Sequence, residues 1–360
     1  MTVSMELECV TLRGSPHDMG FTHGTLLSER VRRLVDSRFE ATRSYLSERG
    51  VSPTRSLRET GQACMEIHGR WDPPAIEEYL GIAAGAGVHP ADLYAAANMT
   101  DVRDILTLAE SPGTEGCSAV LVPSSAAADG VGFAGQTWDL VPEDLELVVA
   151  LYREPSEGPR SWTVTCAGCP CLMGLNEWGV ALGTTNLKTW GARPGVGYLG
   201  LLYRALRARS VAQASEWVRS APRAGAHTYW LIDEREQVEW EATPDSAVSR
   251  RPGETAIHRT NHCLIEKHRE REGEPPEPSS VSRYGRLSGL LQDRRLSPTD
   301  LRALFADRSD GVLSINRYAE DGQGTSTNAV FVAVPSRREA WTCRGSADRG
   351  VWVRLAFALG

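Results

Sequence analysis

The pattern of apolar and polar positions changes character near residue 116. Before it, apolar residues recur at helical spacing. Leu26, Leu27, Val31, Leu34, Val35, Phe39, Tyr45 and Leu46 fall close to a 3.6-residue period and predict an amphipathic helix over about 25–49. Further helices are expected over 56–69, 75–87 and 90–108, with Pro73-Pro74 and His89-Pro90 as start signals. A short strand, Leu7 to Leu12, comes first. Ser15 then reads as an N-cap with Pro16 at the first helical position, and His23 as a polar residue of that helix entry. Residues 111–116, Ser-Pro-Gly-Thr-Glu-Gly, read as a turn-rich connector.

Beyond residue 117 the spacing becomes that of strand hairpins. Ser118–Val122 and Val131–Asp139 flank a small polar turn with Asp129-Gly130, a strong hairpin signal. A turn centred on about Ala128 would put Asp139 roughly opposite Cys117. More strands are expected over 147–152, 162–166, 171–175, 180–185, 228–232, 237–242, 329–334 and 341–344, with an apolar end at 351–359. Helices are expected over 200–209, 211–220, 281–292 and 298–306, and a charged, Pro-rich surface loop over 270–278. A helical prelude followed by hairpins and covering helices predicts a layered α+β fold of antiparallel sheets. Neither a GxGxxG between strand and helix nor a P-loop occurs.

Composition narrows the function. The 360 residues are 41% hydrophobic and 24% charged, as in soluble globular proteins, and the net charge of −7 argues against a nucleic-acid partner. No apolar run approaches the ~20 residues that span a membrane. The first residues carry acid and no basic region ahead of an apolar core, so a cytoplasmic location is expected, and with it eight cysteines as thiols.

Two cysteine features carry candidate chemistry. Cys166, Cys169 and Cys171 form a cluster that could hold zinc, but a structural site needs four ligands and only the Cys263–His262 neighbours could supplement it. Cys117 stands at the open end of the first hairpin. From the residues alone it is either a small buried apolar side chain or a nucleophile served by Asp139. A third possibility is an unprocessed Cys–His enzyme pairing Cys117 with a distant histidine such as His262.

Several pieces together resemble the acyl-coenzyme A:6-aminopenicillanic acid acyltransferase family (peptidase family C45) of the N-terminal nucleophile (Ntn) hydrolases. They are Gly14-Ser15-Pro16 with Met19-Gly20 and His23-Gly24, Gly116-Cys117-Ser118, Trp138-Asp139, 174–180 with Thr185-Asn186, Thr260-Asn261-His262, and Ser279-Ser280 with Ser282-Arg283. The resemblance implies a four-layer αββα sandwich and self-cleavage between Gly116 and Cys117. That would separate a helical segment, 1–116, from a catalytic core, 117–360. It implies Cys117 as nucleophile with its own α-amine as base, Asp139 to hold the ammonium or orient the thiol, and Asn261 as oxyanion donor. Asn186 would be a second donor, and Arg283 would steady a carboxylate or the nucleophile. The implied partners are a small amide or thioester, with an amine acceptor or acyl-CoA; neither metal nor other cofactor is implied, and no nucleic acid or membrane. Thr137 stands where the family element has Asn, and Ser118 where Thr is common.

Overall fold

The chain, described over residues 4–48, 50–52, 55–107, 116–273 and 275–357 of a computed structural model, opens with strand β1 (Cys9–Gly14) and helix α1 (Pro16–Leu26). Ser15 Oγ accepts from the Asp18 N–H (3.2 Å), and the Asp18 carboxylate accepts from the Ser15 N–H (3.1 Å). This capping box satisfies two otherwise orphaned donors and starts the helix at Pro16, the first helical position expected. A break at Leu27 separates α1 from α2 (Ser28–Glu48); α3 (Leu57–Trp71), α4 (Pro73–Ala86), α5 (Pro90–Ala97) and α6 (Met99–Thr107) follow. The single helix expected over 90–108 is divided at Asn98. Its Nδ2 donates back to Tyr94 O (3.1 Å) and to Tyr79 Oη (3.3 Å), a local bond of the kind that competes with helix continuation. The connector expected over 111–116 lies, but for Gly116, outside the described residues.

Next come β2 (Ser118–Val122), β3 (Phe133–Leu140), β4 (Val148–Pro155), β5 (Ser161–Cys166), β6 (Met173–Asn176) and β7 (Ala181–Asn186). Helices α7 (Tyr198–Ala205) and α8 (Val211–Ser220) precede β8 (His227–Ile232), β9 (Gln237–Ala242), β10 (Ala247–Arg250) and β11 (Ile257–Arg259). The chain closes with α9 (Glu266–Arg269), α10 (Pro278–Leu291), α11 (Pro298–Phe305), β12 (Ser326–Val334), β13 (Glu339–Arg344) and β14 (Val353–Ala356). The sequence pattern does not reveal β10, β11 or α9. They are three or four residues each, and partner strands rather than local periodicity hold β10 and β11.

One sheet has eight strands in the order β1-β4-β5-β6-β7-β8-β9-β10, and the other six, β11-β2-β3-β12-β13-β14. Described pairs are antiparallel except β1 with β4, which run parallel. Alternation along β12 shows the layering. Ala329, Phe331 and Ala333 pack into the core between the sheets, whereas Val330, Val332 and Val334 pack with Leu287 of α10 and Leu301, Leu304 and Phe305 of α11. On the far side α1 lies on β1 and β4, and α7 and α8 lie on β7 to β9. The architecture is therefore α+β with four layers, αββα.

Two devices lock the layers. Gln136 of β3 crosses to the other sheet: its Oε1 accepts from the Thr184 N–H (2.8 Å) and Trp230 Nε1 (2.5 Å), while its Nε2 donates to Thr184 O (3.0 Å). Helices α1 and α4 meet through paired glycines. A Cβ on Gly20 or Gly24 would lie 2.2 or 2.1 Å from the carbonyl oxygen of Glu78 or Ile82, and one on Gly81 or Gly85 would strike α1 at 2.3 or 2.4 Å. Among the described residues no helix is long and apolar enough to cross a membrane.

Candidate active site

The first hairpin fixes the geometry. Ser118 pairs with Thr137, so Asp139 falls opposite Gly116, and the Gly116 N–H points to Asp139 O (3.4 Å). The expected register, with Asp139 opposite Cys117, is thus off by one residue. The turn is centred between Ala127 and Ala128 rather than on Ala128, because a short 3-10 turn over Ser124–Ala126 takes up part of the loop. The carboxylate therefore stands at the Gly116 side of the Gly116–Cys117 bond.

Cys117 is buried and closely held. Its N–H donates to Asn261 Oδ1 (2.8 Å), and its carbonyl oxygen accepts from Arg283 Nη1. Arg283 also donates to Ser118 Oγ (3.0 Å), to Asn261 Oδ1 (3.0 Å) and, through Nε, to Ser279 Oγ (3.2 Å). Two donors thus converge on Asn261 Oδ1, which fixes the amide orientation: its Nδ2 donates to Asn186 O (3.1 Å). The Asn261 N–H donates to Ser280 Oγ (2.8 Å), which ties the residue to α10. Thr137 accepts from the Ser118 N–H through its Oγ1 (3.1 Å).

Burial decides the charges here. It pushes the Asp139 carboxyl up to about 6, against the opposing pull of Arg283 and Arg317. Among the described residues neither carboxylate oxygen accepts a hydrogen bond of normal geometry, although the Thr137 and Thr327 hydroxyls lie near enough to lower the pKa somewhat. Burial also draws Arg283 down to about 10, with Asp139 pulling the other way, so it stays cationic at neutral pH.

The structure thus brings together Gly116, Cys117, Asp139, Asn261 and Arg283. Asn186 joins them through its backbone carbonyl, while its side-chain Oδ1, which can only accept, is buried with no partner among the described residues. The pattern missed Arg317. It lies ahead of β12 in a stretch, Ser314–Arg317, that is buried throughout and shows no periodicity, so no local signal marked it.

The other candidates stand apart. His262 turns Nδ1 to Ser280 Oγ (2.8 Å), and burial lowers its pKa to about 4. Burial pushes the thiol of Cys169 up to about 11 and that of Cys171 to about 12, and Cys166 faces Arg38 Nη2 (3.9 Å). No group of three or more His, Cys, Asp or Glu suited to a metal ion occurs among the described residues. His23, expected as a polar residue of the helix entry, is fully buried and accepts from the Gly168 N–H through Nε2 (2.9 Å).

Residues 126–349 match the family model described as acyl-coenzyme A:6-aminopenicillanic acid acyl-transferase. The 40 kDa form of the acyl-coenzyme A:6-aminopenicillanic-acid-acyltransferase of Emericella nidulans is 27% identical over 329 residues, which is 89% of this chain and 88% of that protein. Among solved structures, an N-acylethanolamine-hydrolyzing acid amidase ortholog of Caenorhabditis elegans covers 61% of this chain and 93% of its own, at 11% identity and a TM-score of 0.45. The penicillin V acylase of Agrobacterium tumefaciens covers 67% and 86%, at 12% identity and a TM-score of 0.44.

Proposed function

This chain belongs to the acyl-coenzyme A:6-aminopenicillanic acid acyl-transferase family and has the αββα fold of the Ntn hydrolases; on that premise we propose that it is a self-cleaving cysteine amidohydrolase or acyltransferase that works through an acyl-thioester on Cys117. The observation that carries the reading is the hold on Cys117: its N–H on Asn261 Oδ1, its carbonyl on Arg283, and a buried, protonatable Asp139 beside Gly116.

In the first step Cys117 Sγ attacks the Gly116 carbonyl carbon, and the Gly116–Cys117 C–N bond breaks as the C–S bond forms. The departing nitrogen needs a proton. A carboxyl with a pKa near 6 can lend one at neutral pH and regain it from the attacking thiol, and Asp139 lies on that side. Water then hydrolyses the thioester, freeing the Gly116 carboxylate and leaving Cys117 N-terminal. This divides the chain into residues 1–116 and 117–360.

In the second stage the α-amine of Cys117, with an ordinary pKa of ~7.7–8.0, takes the thiol proton, the N-terminal variant of nucleophile–base pairing. Asp139 stands opposite the ammonium so formed. One Asn261 Nδ2 hydrogen is engaged with Asn186 O, and the second serves the substrate oxyanion, an interaction worth about 3–4 kcal/mol in the transition state. The substrate is a small N-acyl or aminoacyl amide, or a thioester such as an acyl-CoA. Water or an acceptor amine collects the acyl group.

Incubating the protein with an acyl-CoA, with and without acceptor amines, tests the reading. Intact-mass spectra should show an acyl adduct on the 117–360 chain that C117A lacks. Amide product formed only with amine marks a transferase, and free acid without it a hydrolase. No adduct and no product from a panel of acyl-CoAs and N-acyl amides would contradict it.

A further inference from the structure

Arg317 is a buried cation that the reaction above does not use. It is 5% exposed, and its Nε and Nη1 have no hydrogen-bond partner among the described residues. A buried guanidinium with two nitrogens left unbonded is costly, so its place needs a reason. Its backbone is fixed: the Arg317 N–H donates to Thr327 Oγ1 (3.0 Å), and Arg317 O accepts from the Thr327 N–H (3.0 Å).

The space it faces is occupied by Gly116. A Cβ built on Gly116 would lie 2.2 Å from Arg317 Nη1 and 3.3 Å from Asp139 Oδ2. A guanidinium and a carboxylate of complementary charge thus both border the side of Gly116 where a Cβ would point, and neither is hydrogen-bonded to the other. Any side chain at 116 would have to displace the Arg317 head group.

We propose that Arg317 is a positioning residue for Asp139: Gly116 wedges the two apart in the uncleaved chain, and its departure lets the guanidinium close on the carboxylate. The inference rests on self-cleavage at Cys117. It gives Asp139 two states. Before cleavage it is protonatable, able to lend the proton the leaving nitrogen needs; afterwards it is a fixed carboxylate beside the new N-terminus. The other groups facing Asp139 are the Arg283 guanidinium from α10, itself influenced by Glu277 and the Cys117 thiol, and the uncharged hydroxyls of Thr137 and Thr327. None of these is held off by Gly116 in the same way.

The test is the infrared carboxylic-acid C=O band that D139N removes, titrated in four proteins: uncleaved C117A, cleaved wild type, R317M and R317K. The band in C117A should disappear with a midpoint near 6. In the cleaved wild type the midpoint should fall by about one pH unit or more, a tenfold change in proton affinity. R317M should undo that fall, and R317K should keep most of it. A wild-type midpoint in cleaved R317M would overturn the proposal. If R317M does not cleave, C117A/R317M should titrate above C117A, and an equal midpoint would overturn it too. If the wild type never cleaves, the Cys117 reading fails, while the C117A pair still decides whether Arg317 acts on Asp139.

Discussion

Of the buried clusters of guanidinium and carboxylate in this fold, two differ in one instructive respect. At the first, Arg153 of β4 donates to Glu78 of α4 through Nε (3.0 Å) and Nη2 (2.8 Å), to Thr163 Oγ1 (2.9 Å) and to Pro170 O (2.7 Å); Tyr203 Oη donates to the other Glu78 oxygen. Both carboxylate oxygens and the guanidinium head are thus engaged. At the second, among the described residues, Asp139 accepts no hydrogen bond of normal geometry, and two nitrogens of Arg317 have no partner. Saturation makes the first cluster a clamp between residues 1–116 and the eight-stranded sheet. Under the proposed self-cleavage, the vacancies of the second would leave charge free to respond to the break in the backbone beside it. A buried ion pair, taken alone, says little about stability or role; whether its lone pairs and protons are filled says more.

Substitutions should separate the two. The largest expected effect is on D139N, which should slow the appearance of the two chains by about 10²–10⁴-fold, the usual contribution of a positioned acid–base group, as followed by denaturing mass spectrometry. Removing the carboxylate at the clamp should act on stability instead. Glu78→Ala leaves Arg153 buried without its counter-charge and should cost about 3–5 kcal/mol in chemical denaturation of C117A, the uncleaved form. An E78A protein of unchanged stability would erase the contrast.

Asp139 should also declare itself through pH dependence. A carboxyl raised to about 6 when folded, from ~3.9 unfolded, binds its proton more tightly in the folded state. It therefore destabilises the folded protein above pH 6, by roughly 3 kcal/mol, and the cost is relieved as pH falls from 6 towards 4. C117A/D139N should accordingly be more stable than C117A at pH 7, with the gap closing on acidification; a gap independent of pH would refute the raised pKa. The smallest effect concerns packing with no charge at all. Gly24→Ala puts a methyl 2.1 Å from Ile82 O and should cost about 1–3 kcal/mol, without changing the pH profile of cleavage.

How much of this was legible in the sequence follows from where each signal resides. Cys117, Asp139, Asn261 and Arg283 sit in short motifs, and the structure gathers all four around one peptide bond. The layered α+β class followed from the change of period near residue 116. Register did not follow, because a loop centre half a residue from its expected place moves every partner by one. The helix break at Asn98 depends on a side-chain bond that periodicity does not record. Arg317 was illegible for a deeper reason. Its neighbours Gly116 and Asp139 are close only because β3 and β12 pair, some two hundred residues from the scissile bond.

The central claim is that Cys117 cuts its own preceding peptide bond, and denaturing mass spectrometry of freshly purified wild type beside C117A tests it most directly. The expected result is two wild-type fragments, residues 1–116 and 117–360, with C117A intact as one chain close to 39.3 kDa. A wild type that remains a single chain, or a C117A protein that divides at the same bond, would contradict it.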